Sequence, residues 1–201
     1  KIPMDFSVPG EKITSAEFSP CGKYIITGTH LLSSYVWNFN DGTQAFPELF
    51  HNSSVTSVKF SNDGKYVLTS SMAGYVRLWD ISGWNGEPKV KVSALMRHKS
   101  QVRDAIFSPD NKLIFSYSVD STAKVMDVAT GKQLGKDLRH KGQIFGGVFS
   151  SNSRMIATFS NDSTVVVWDA RSGKPVMGPL KHKWFTGGAA FLDNDRKLAV
   201  A

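Results

Sequence analysis

The sequence has a single cysteine and no long apolar run, and both features restrict the class of protein. With one thiol, Cys21, these 201 residues contain neither an internal disulfide framework nor a cysteine-rich zinc site, which favours a reducing compartment. We therefore expect a cytoplasmic or nuclear location. No apolar stretch approaches the roughly 18 residues that a membrane span needs. The first ten residues also lack a signal-peptide core, so we expect no membrane span.

Motifs for catalysis and for cofactor binding are also missing. The sequence contains no phosphate-binding loop, no Cys/His spacing typical of a metal site and no glycine-framed serine nucleophile. No long segment shows an apolar period of 3.6 residues, so we expect almost no helix. These absences favour an all-β protein that is not an enzyme and has no metal or cofactor.

Cations outnumber carboxylates in the sequence. With 24 Lys and Arg against 17 Asp and Glu, the formal net charge is +7, which points to an acidic partner or surface. Nucleic-acid binding and a merely solvated lysine-rich face are the alternatives. The composition, 41% hydrophobic and 20% charged, is that of a soluble globular protein with a sizeable core.

Four similar phrases, each opening with a histidine, reveal an internal repeat. They are "HNSSVTSVKF" at 51, "HKSQVRDAIF" at 98, "HKGQIFGGVF" at 140 and "HKWFTGGAAF" at 182, with spacings of 47, 42 and 42 residues. Within a unit, alternating runs are separated by turns rich in Ser, Asn, Asp and Gly. An alternation of period 2 bounded by such turns predicts four short strands per unit.

Two similar stretches, "VDSTAKVMDV" at 119 and "NDSTVVVWDA" at 161, follow the histidines at 98 and 140. A histidine, a hydroxyl and an aspartate could together form a nucleophilic catalytic group, or they could be a repeated piece of architecture. A catalytic unit cannot lose a member without losing activity, yet three of the four units lack at least one of the histidine, hydroxyl, aspartate and tryptophan that stand together at 140–168. This decay favours the architectural interpretation.

Four strands in about 42 residues resemble the WD-repeat β-propeller family. A blade of that family carries a structural tetrad: His before the first strand, Ser or Thr in the second, Asp in the following turn and Trp in the third. The resemblance implies tetrad positions at His140, Thr158, Asp162 and Trp168; at His98, Ser116 and Asp120; and at His51, Thr69 and Trp79. Met126 replaces one tryptophan and Ala73 replaces one aspartate. The implied role is an internal hydrogen-bond relay.

The resemblance implies an all-β propeller of four-stranded antiparallel blades, present as an incomplete arc of a ring that has seven blades in typical members. The expected units are a last strand of a preceding blade (1–8), a degenerate repeat (9–50), two repeats (51–97 and 98–139), a repeat with a complete tetrad (140–181) and the first half of a further blade (182–201). The degenerate repeat keeps only Thr27 and Trp37 of its tetrad.

The family resemblance implies a non-catalytic scaffold that binds a partner peptide or protein on a propeller face, as a subunit of a larger complex. The alternative is a nucleic-acid-associated propeller in a ribonucleoprotein or chromatin complex. One candidate contact, Trp84, lies in an unusually long connection between a third and a fourth strand. The other candidates lie near the repeat histidines and turns: Met72, Arg103, Phe145, Trp184, Lys99, Lys141 and Lys183.

Three successive repeats open with a basic residue on each side of the histidine. We call these tripeptides the basic frames: Arg97-His98-Lys99, Arg139-His140-Lys141 and Lys181-His182-Lys183. Because each frame precedes a first strand, we expect the six cations to lie along one sector of a single face. Cations at a fixed register create a directional field, so we expect an acidic peptide or acidic protein loop to dock there. A merely solvated rim is the alternative.

Overall fold

The structure, a computed structural model, describes residues 6, 8–82, 91–183 and 187–201, without the side chains of 91–95. All regular secondary structure in this part of the chain is β-strand, arranged in antiparallel sheets. The predicted fold class, all-β with four-stranded antiparallel blades, is confirmed. The proposed strand at residues 1–8 lies almost entirely outside the described residues.

Four sheets of four strands follow one another along the chain, and we number them as blades 1 to 4. Blade 1 contains β1 (Ile13–Phe18), β2 (Tyr24–Thr29), β3 (Ser33–Asn38) and β4 (Leu49–Phe50). Blade 2 contains β5 (Val55–Phe60), β6 (Tyr66–Ser71), β7 (Tyr75–Asp80) and β8 (Lys91–Arg97). Blade 3 contains β9 (Val102–Phe107), β10 (Leu113–Ser118), β11 (Thr122–Asp127) and β12 (Gln133–Arg139).

Blade 4 contains β13 (Ile144–Phe149), β14 (Met155–Ser160), β15 (Thr164–Asp169) and β16 (Pro175–Lys181). A two-stranded sheet of β17 (Ala189–Leu192) and β18 (Lys197–Val200) follows it. Within each sheet every strand pairs antiparallel with the next one in the chain, so the connections before the first strands of all blades lie on one face. The connections between third and fourth strands lie on the opposite face.

The turns between first and second strands owe their shape to short polar side chains. In blade 3, the Ser108 hydroxyl donates to Asp110 Oδ1 at 2.6 Å, and Asn111 adopts a positive φ of 58°. These turns also connect neighbouring blades, because the backbone N–H of Asn62 donates to Asn111 Oδ1 at 2.9 Å. The turn residues therefore end the strands and hold adjacent blades in register.

The hydrophobic core lies between blades rather than inside any one of them. Buried side chains of blade 3, such as Phe115 and Leu138, form one cluster with Ile156 and Trp168 of blade 4. Similar clusters join blade 1 to blade 2 and blade 2 to blade 3. Because both faces of blades 2 and 3 are covered, their second strands are buried on two sides and stabilised mainly by apolar contact with the neighbouring blades.

Two glycines of β13, the first strand of blade 4, lie so close to aromatic rings that there is no room for a side chain. A Cβ atom on Gly147 would lie 2.5 Å from Cζ of Phe115, and one on Gly146 would lie 2.1 Å from Cζ of Phe159. Any larger residue would therefore displace an aromatic ring of the core. Gly147 is thus required by packing against blade 3, and Gly146 by packing within blade 4.

Candidate interaction surface

His140 lies at the centre of a buried hydrogen-bond network in blade 4. Trp168 Nε1 donates to Thr158 Oγ1 at 2.8 Å, and the Thr158 hydroxyl lies 2.7 Å from His140 Nε2. Nε2 accepts from the Thr158 hydroxyl, because the groups beside the other ring nitrogen, the Asp162 carboxylate and the Thr164 oxygen whose proton goes to that carboxylate, act as acceptors and direct the hydrogen of the neutral ring to Nδ1. That nitrogen lies 3.0 Å from Thr164 Oγ1 and 3.4 Å from the Asp162 carboxylate. Burial lowers the pKa of His140 and keeps the ring neutral.

Asp162 links two loops on the same face. Its Oδ2 accepts a hydrogen bond from the backbone N–H of Lys141 at 2.7 Å, and its Oδ1 accepts from the Thr164 hydroxyl at 2.5 Å. Burial raises the pKa of this carboxyl, but the hydrogen bonds from Thr164 and Lys141 lower it by more, so the group stays ionised. We call this arrangement, in which an aspartate accepts from the backbone of the basic frame, the aspartate clamp.

Blade 3 repeats the network with one substitution. His98 Nε2 lies 2.8 Å from Ser116 Oγ, and Asp120 Oδ2 accepts from the backbone N–H of Lys99 at 2.7 Å. Met126 occupies the tryptophan position and is fully buried, so Ser116 receives no indole hydrogen bond. The aspartate clamp is therefore retained in a blade that has lost its tryptophan.

Blade 2 has the tryptophan but not the aspartate. Trp79 Nε1 donates to Thr69 Oγ1 at 2.8 Å, and the same hydroxyl lies 2.6 Å from His51 Nε2. Because Ala73 stands at the aspartate position, Nδ1 of the fully buried His51 has no hydrogen-bond partner among the described residues. Burial, with a contribution from Arg77, lowers the pKa of His51 to about 3.

A different contact holds the loop before the first strand of blade 2. The guanidinium group of Arg77 donates to the backbone carbonyl of Phe50 and, at 3.2 Å, to Asn52 Oδ1. Asn52 follows the repeat histidine, as Lys99 and Lys141 do in the next two blades. The arginine side chain therefore restrains the segment that the aspartate clamp restrains elsewhere.

The hydroxyl groups of these networks are not available for chemistry. Thr69, Ser116 and Thr158 each have 0% of their surface exposed, so no substrate can reach their oxygens. Each hydroxyl is engaged with a histidine that bridges two segments of its blade. The arrangement satisfies buried polar groups rather than activating a nucleophile.

Two of the residues considered as partner contacts touch each other across the boundary between blades 3 and 4. The Arg103 guanidinium lies 4.5 Å from the centre of the Phe145 ring, and Arg103 Nη2 donates to Gln143 Oε1 at 3.1 Å. Met72 is 50% exposed. Trp84 and Trp184, which the sequence also suggested, lie outside the described residues.

In the basic frames the lysine side chains are exposed, whereas the arginine side chains have partners within the chain. Lys99, Lys141, Lys181 and Lys183 are exposed on the face that carries the connections before the first strands, which we call the basic face. The arginines of the frames have partners within the chain. Arg97 lies 5.2 Å from the centre of the Tyr75 ring, and Arg139 Nη2 pairs with Asp137 at 2.9 Å.

A groove of about 640 Å³ opens beside the second and third basic frames. It lies between residues 139–141 and the outer strands β15 and β16. Its apolar lining includes Val166, Trp168, Pro175 and Pro179, and its polar lining includes Arg139, His140, Lys141, Asp162, Thr164, Lys181 and His182. The structure thus brings parts of two frames to one concave site.

A family model for the WD domain, G-beta repeat, matches residues 48–80, 89–127 and 131–169, which is more than half of the chain. The chain belongs to the WD-repeat family. No curated protein matches it. Each matched WD segment includes the fourth strand of one blade and ends with the third strand of the next, at Asp80, Asp127 and Asp169. WD repeats in general serve as scaffolds for protein–protein interaction.

Sequence reasoning overlooked Thr122 and Thr164 in the WD repeats. Both hydroxyls donate to the clamp aspartate, and both lie within 3.1 Å of a histidine Nδ1. The triplet Asp-Ser-Thr at the same place in both quoted stretches was the signal that could have identified them. Among the described residues, no three His, Cys, Asp or Glu side chains are grouped as metal ligands would be. That part of the chain also contains no helix with the length and apolarity of a membrane span.

Proposed function

We propose that this protein is a non-catalytic interaction scaffold that binds an acidic peptide or acidic protein loop on its basic face. The observation that carries the proposal is the aspartate clamp under the basic frames. Asp120 and Asp162 accept hydrogen bonds from the backbone N–H groups of Lys99 and Lys141, both at 2.7 Å. The lysine side chains are exposed on a backbone that these bonds hold in place. Cations held in this way attract an anionic partner without a large loss of backbone entropy.

The surroundings of the lysines suit a peptide better than a small anion. Arg103 and Phe145 present a cation stacked on an aromatic ring beside the frames, and both are partly exposed. Protein interfaces are enriched in arginine and aromatic side chains because these combine large contact areas with directional polar groups. An acidic segment with apolar side chains would contact both kinds of surface.

Charge reversal on the two faces of the propeller tests this proposal. The variant Lys99→Glu with Lys141→Glu should weaken binding of a fluorescein-labelled peptide rich in aspartate and tryptophan by roughly tenfold or more. The matched control, Lys132→Glu with Lys174→Glu, changes two exposed lysines on the opposite face and should leave affinity nearly unchanged. Fluorescence anisotropy at two ionic strengths measures both effects.

Equal losses in the two variants would contradict a specific basic face, because net charge alone would then control binding. A labelled RNA of random sequence provides the second comparison. If the chain binds that RNA more tightly than the peptide, with a steep dependence on salt, the nucleic-acid alternative is favoured instead.

A further inference from the structure

The groove in blade 4 exists because three positions of the outer strands differ from their counterparts in blade 3. Strands β11 and β15 align without a gap, as do β12 and β16. The aligned pairs are Lys124 and Val166, Gln133 and Pro175, and Asp137 and Pro179. Blade 3 has a long or charged side chain at every one of these positions, whereas blade 4 has a short apolar one.

In blade 3 the side chains of Lys124, Gln133 and Asp137 fill the surface of β11 and β12 that corresponds to the groove. Lys124 Nζ lies 2.5 Å from Asp137 Oδ1 and 3.3 Å from Gln133 Oε1. Asp137 Oδ2 also pairs with Arg139 at 2.9 Å. Only 13% of the Lys124 side chain and 20% of the Asp137 side chain are exposed. A carboxylate of the chain itself therefore neutralises two cations and, with Lys124, covers the strands.

In blade 4 the same surface is left open. Val166 is too short to cross it, and Pro179 supplies no carboxylate for Lys181, which stands where Arg139 stands in blade 3. In the described part of the chain, neither Lys181 nor Lys141 forms a salt bridge. The groove thus combines an apolar floor, which includes Trp168, with two lysines, Lys141 and Lys181, that form no salt bridge among the described residues, whereas Arg139 in the same lining is paired with Asp137.

The backbone of β16 excludes one mode of binding. Pro175 and Pro179 have no N–H group to donate, so a partner strand cannot add to this edge by regular pairing. We therefore expect an occupant to bind mainly through its side chains. A volume of about 640 Å³ lies within the range of roughly 300–1,000 Å³ typical of ligand pockets, and it accommodates a few side chains.

We propose that this groove binds a partner segment in which an acidic residue stands next to an aromatic or aliphatic one. The partner carboxylate would lie against Lys181 as Asp137 lies against Arg139 in blade 3. The neighbouring apolar side chain would cover Val166 and Trp168, as the stem of Lys124 covers the equivalent surface. This inference rests on the proposed function, because it locates the acidic partner within the basic face.

A variant that gives blade 4 the side chains of blade 3 tests the groove directly. Val166→Lys with Pro179→Asp should form an internal ion pair like that of Lys124 and Asp137 and so occupy the site without changing the net charge. The probe is a fluorescein-labelled nonapeptide with four aspartates around a central tryptophan. We expect its affinity for the full chain to fall by roughly tenfold or more.

The matched control places the same two residues on β16 but outside the groove. Val176→Lys with Met177→Asp alters side chains that are 59% and 52% exposed and do not line the cavity. This variant should bind the probe as the unmodified chain does. Versions of the probe with asparagine for aspartate, or alanine for tryptophan, should each bind several-fold more weakly, because each lacks one of the two recognised groups.

Methyl NMR provides a readout that does not depend on the double variant folding. Titration with the probe should shift the Val166 methyl signals and leave those of Val76, buried between blades 2 and 3, unchanged. If the Val166 methyl signals do not shift at saturating probe, the proposal that the groove binds the peptide is wrong. Inorganic phosphate that shifts Val166 as strongly as the peptide would also overturn the peptide assignment, since the site would then be one for small anions.

The groove and the proposed function can fail separately. Lys99 belongs to the basic face but does not line the groove. If Lys99→Glu weakens binding while Val166→Lys with Pro179→Asp does not, the groove proposal is wrong and the acidic partner binds elsewhere on the basic face. If neither change affects the probe, both proposals are wrong.

Discussion

Asp162 holds the backbone of Lys141 in place, with its Oδ2 accepting from the lysine N–H at 2.7 Å. The side chain of Lys141 is exposed, whereas that of Asp162 is only 14% exposed. A partly buried carboxylate thus determines the position of a surface cation. The same relationship between Asp120 and Lys99 in blade 3 shows that it belongs to the repeat and not to one loop.

Replacing the clamp aspartate should destabilise the fold. Asp162→Ala leaves the N–H of Lys141 and the hydroxyl of Thr164 without their acceptor, and we expect a loss of roughly 1–3 kcal/mol in the free energy of unfolding. Denaturant unfolding measures this loss. Lys197→Ala is the control, because Lys197 makes an exposed ion pair with Asp193 that contributes less than about 1 kcal/mol. Equal losses would contradict the clamp.

Acid should destabilise the protein through His51 well above the pH at which carboxylates protonate. Its pKa is about 3 in the folded chain and near 6.5 when exposed, so the unfolded state binds the proton more tightly. The stabilising effect of the neutral ring is present above pH 6.5 and decreases as pH falls towards 3. Between pH 6.5 and 5.5 we expect a loss of about 1 kcal/mol from this residue alone.

Unfolding free energies measured at several pH values test the role of His51. The variant His51→Gln lacks the titrating group and should show a shallower decrease over this interval. Burial also lowers the pKa of His98 and His140, so some decrease should remain in the variant. An unchanged slope in the variant would mean that His51 is already protonated, or is accessible to protons, in the folded state.

Arg77 and Ala73 should show coupled effects on stability. Arg77→Ala removes the hydrogen bonds to Phe50 and Asn52 and should cost about 1 kcal/mol. In that background Ala73→Asp should regain part of the loss by accepting from the backbone of Asn52. In the unmodified chain the same change should have little effect, because Arg77 already restrains the loop. A double-mutant cycle of unfolding free energies would contradict this if the two changes were additive.

Glycine at position 147 should be essential for packing. Gly147→Ala places a Cβ atom 2.5 Å from Phe115 Cζ, so we expect a loss of roughly 1–3 kcal/mol in unfolding free energy. Gly188→Ala is the matched control, because an added Cβ there meets nothing within 4 Å. Phe115→Leu should reduce the penalty of Gly147→Ala. Thermal or denaturant unfolding of the three variants would refute the packing argument if both alanine changes cost the same.

The strands and turns could be predicted because they depend on neighbouring residues in the chain. The short apolar runs "MIATFS" and "TVVVWD", rich in β-branched and aromatic residues, together with the turn sequence "SSNSR" before the first of them, predict β-structure from local chemistry alone. The resemblance to WD repeats pointed to His140 and Thr158, 18 residues apart, and the structure brings their side chains within 2.7 Å. Sequence comparison alone was sufficient for the family and for the all-β fold.

The groove, and the contacts of Arg77 and Arg103, could not be predicted from the sequence of any single repeat. Arg77, on β7, restrains the loop that an aspartate in a turn restrains in blades 3 and 4, and Arg103 lies on Phe145 of the neighbouring blade. Contacts of this kind depend on the side-chain lengths at facing positions.

The sequence by itself thus determined the repeat, the strand order and the register of the basic frames, because each follows from local periodicity. Only the tertiary structure decided which surface stays open. Whether a groove is filled depends on the reach and charge of side chains from strands that are distant in sequence, as Lys124 and Val166 show.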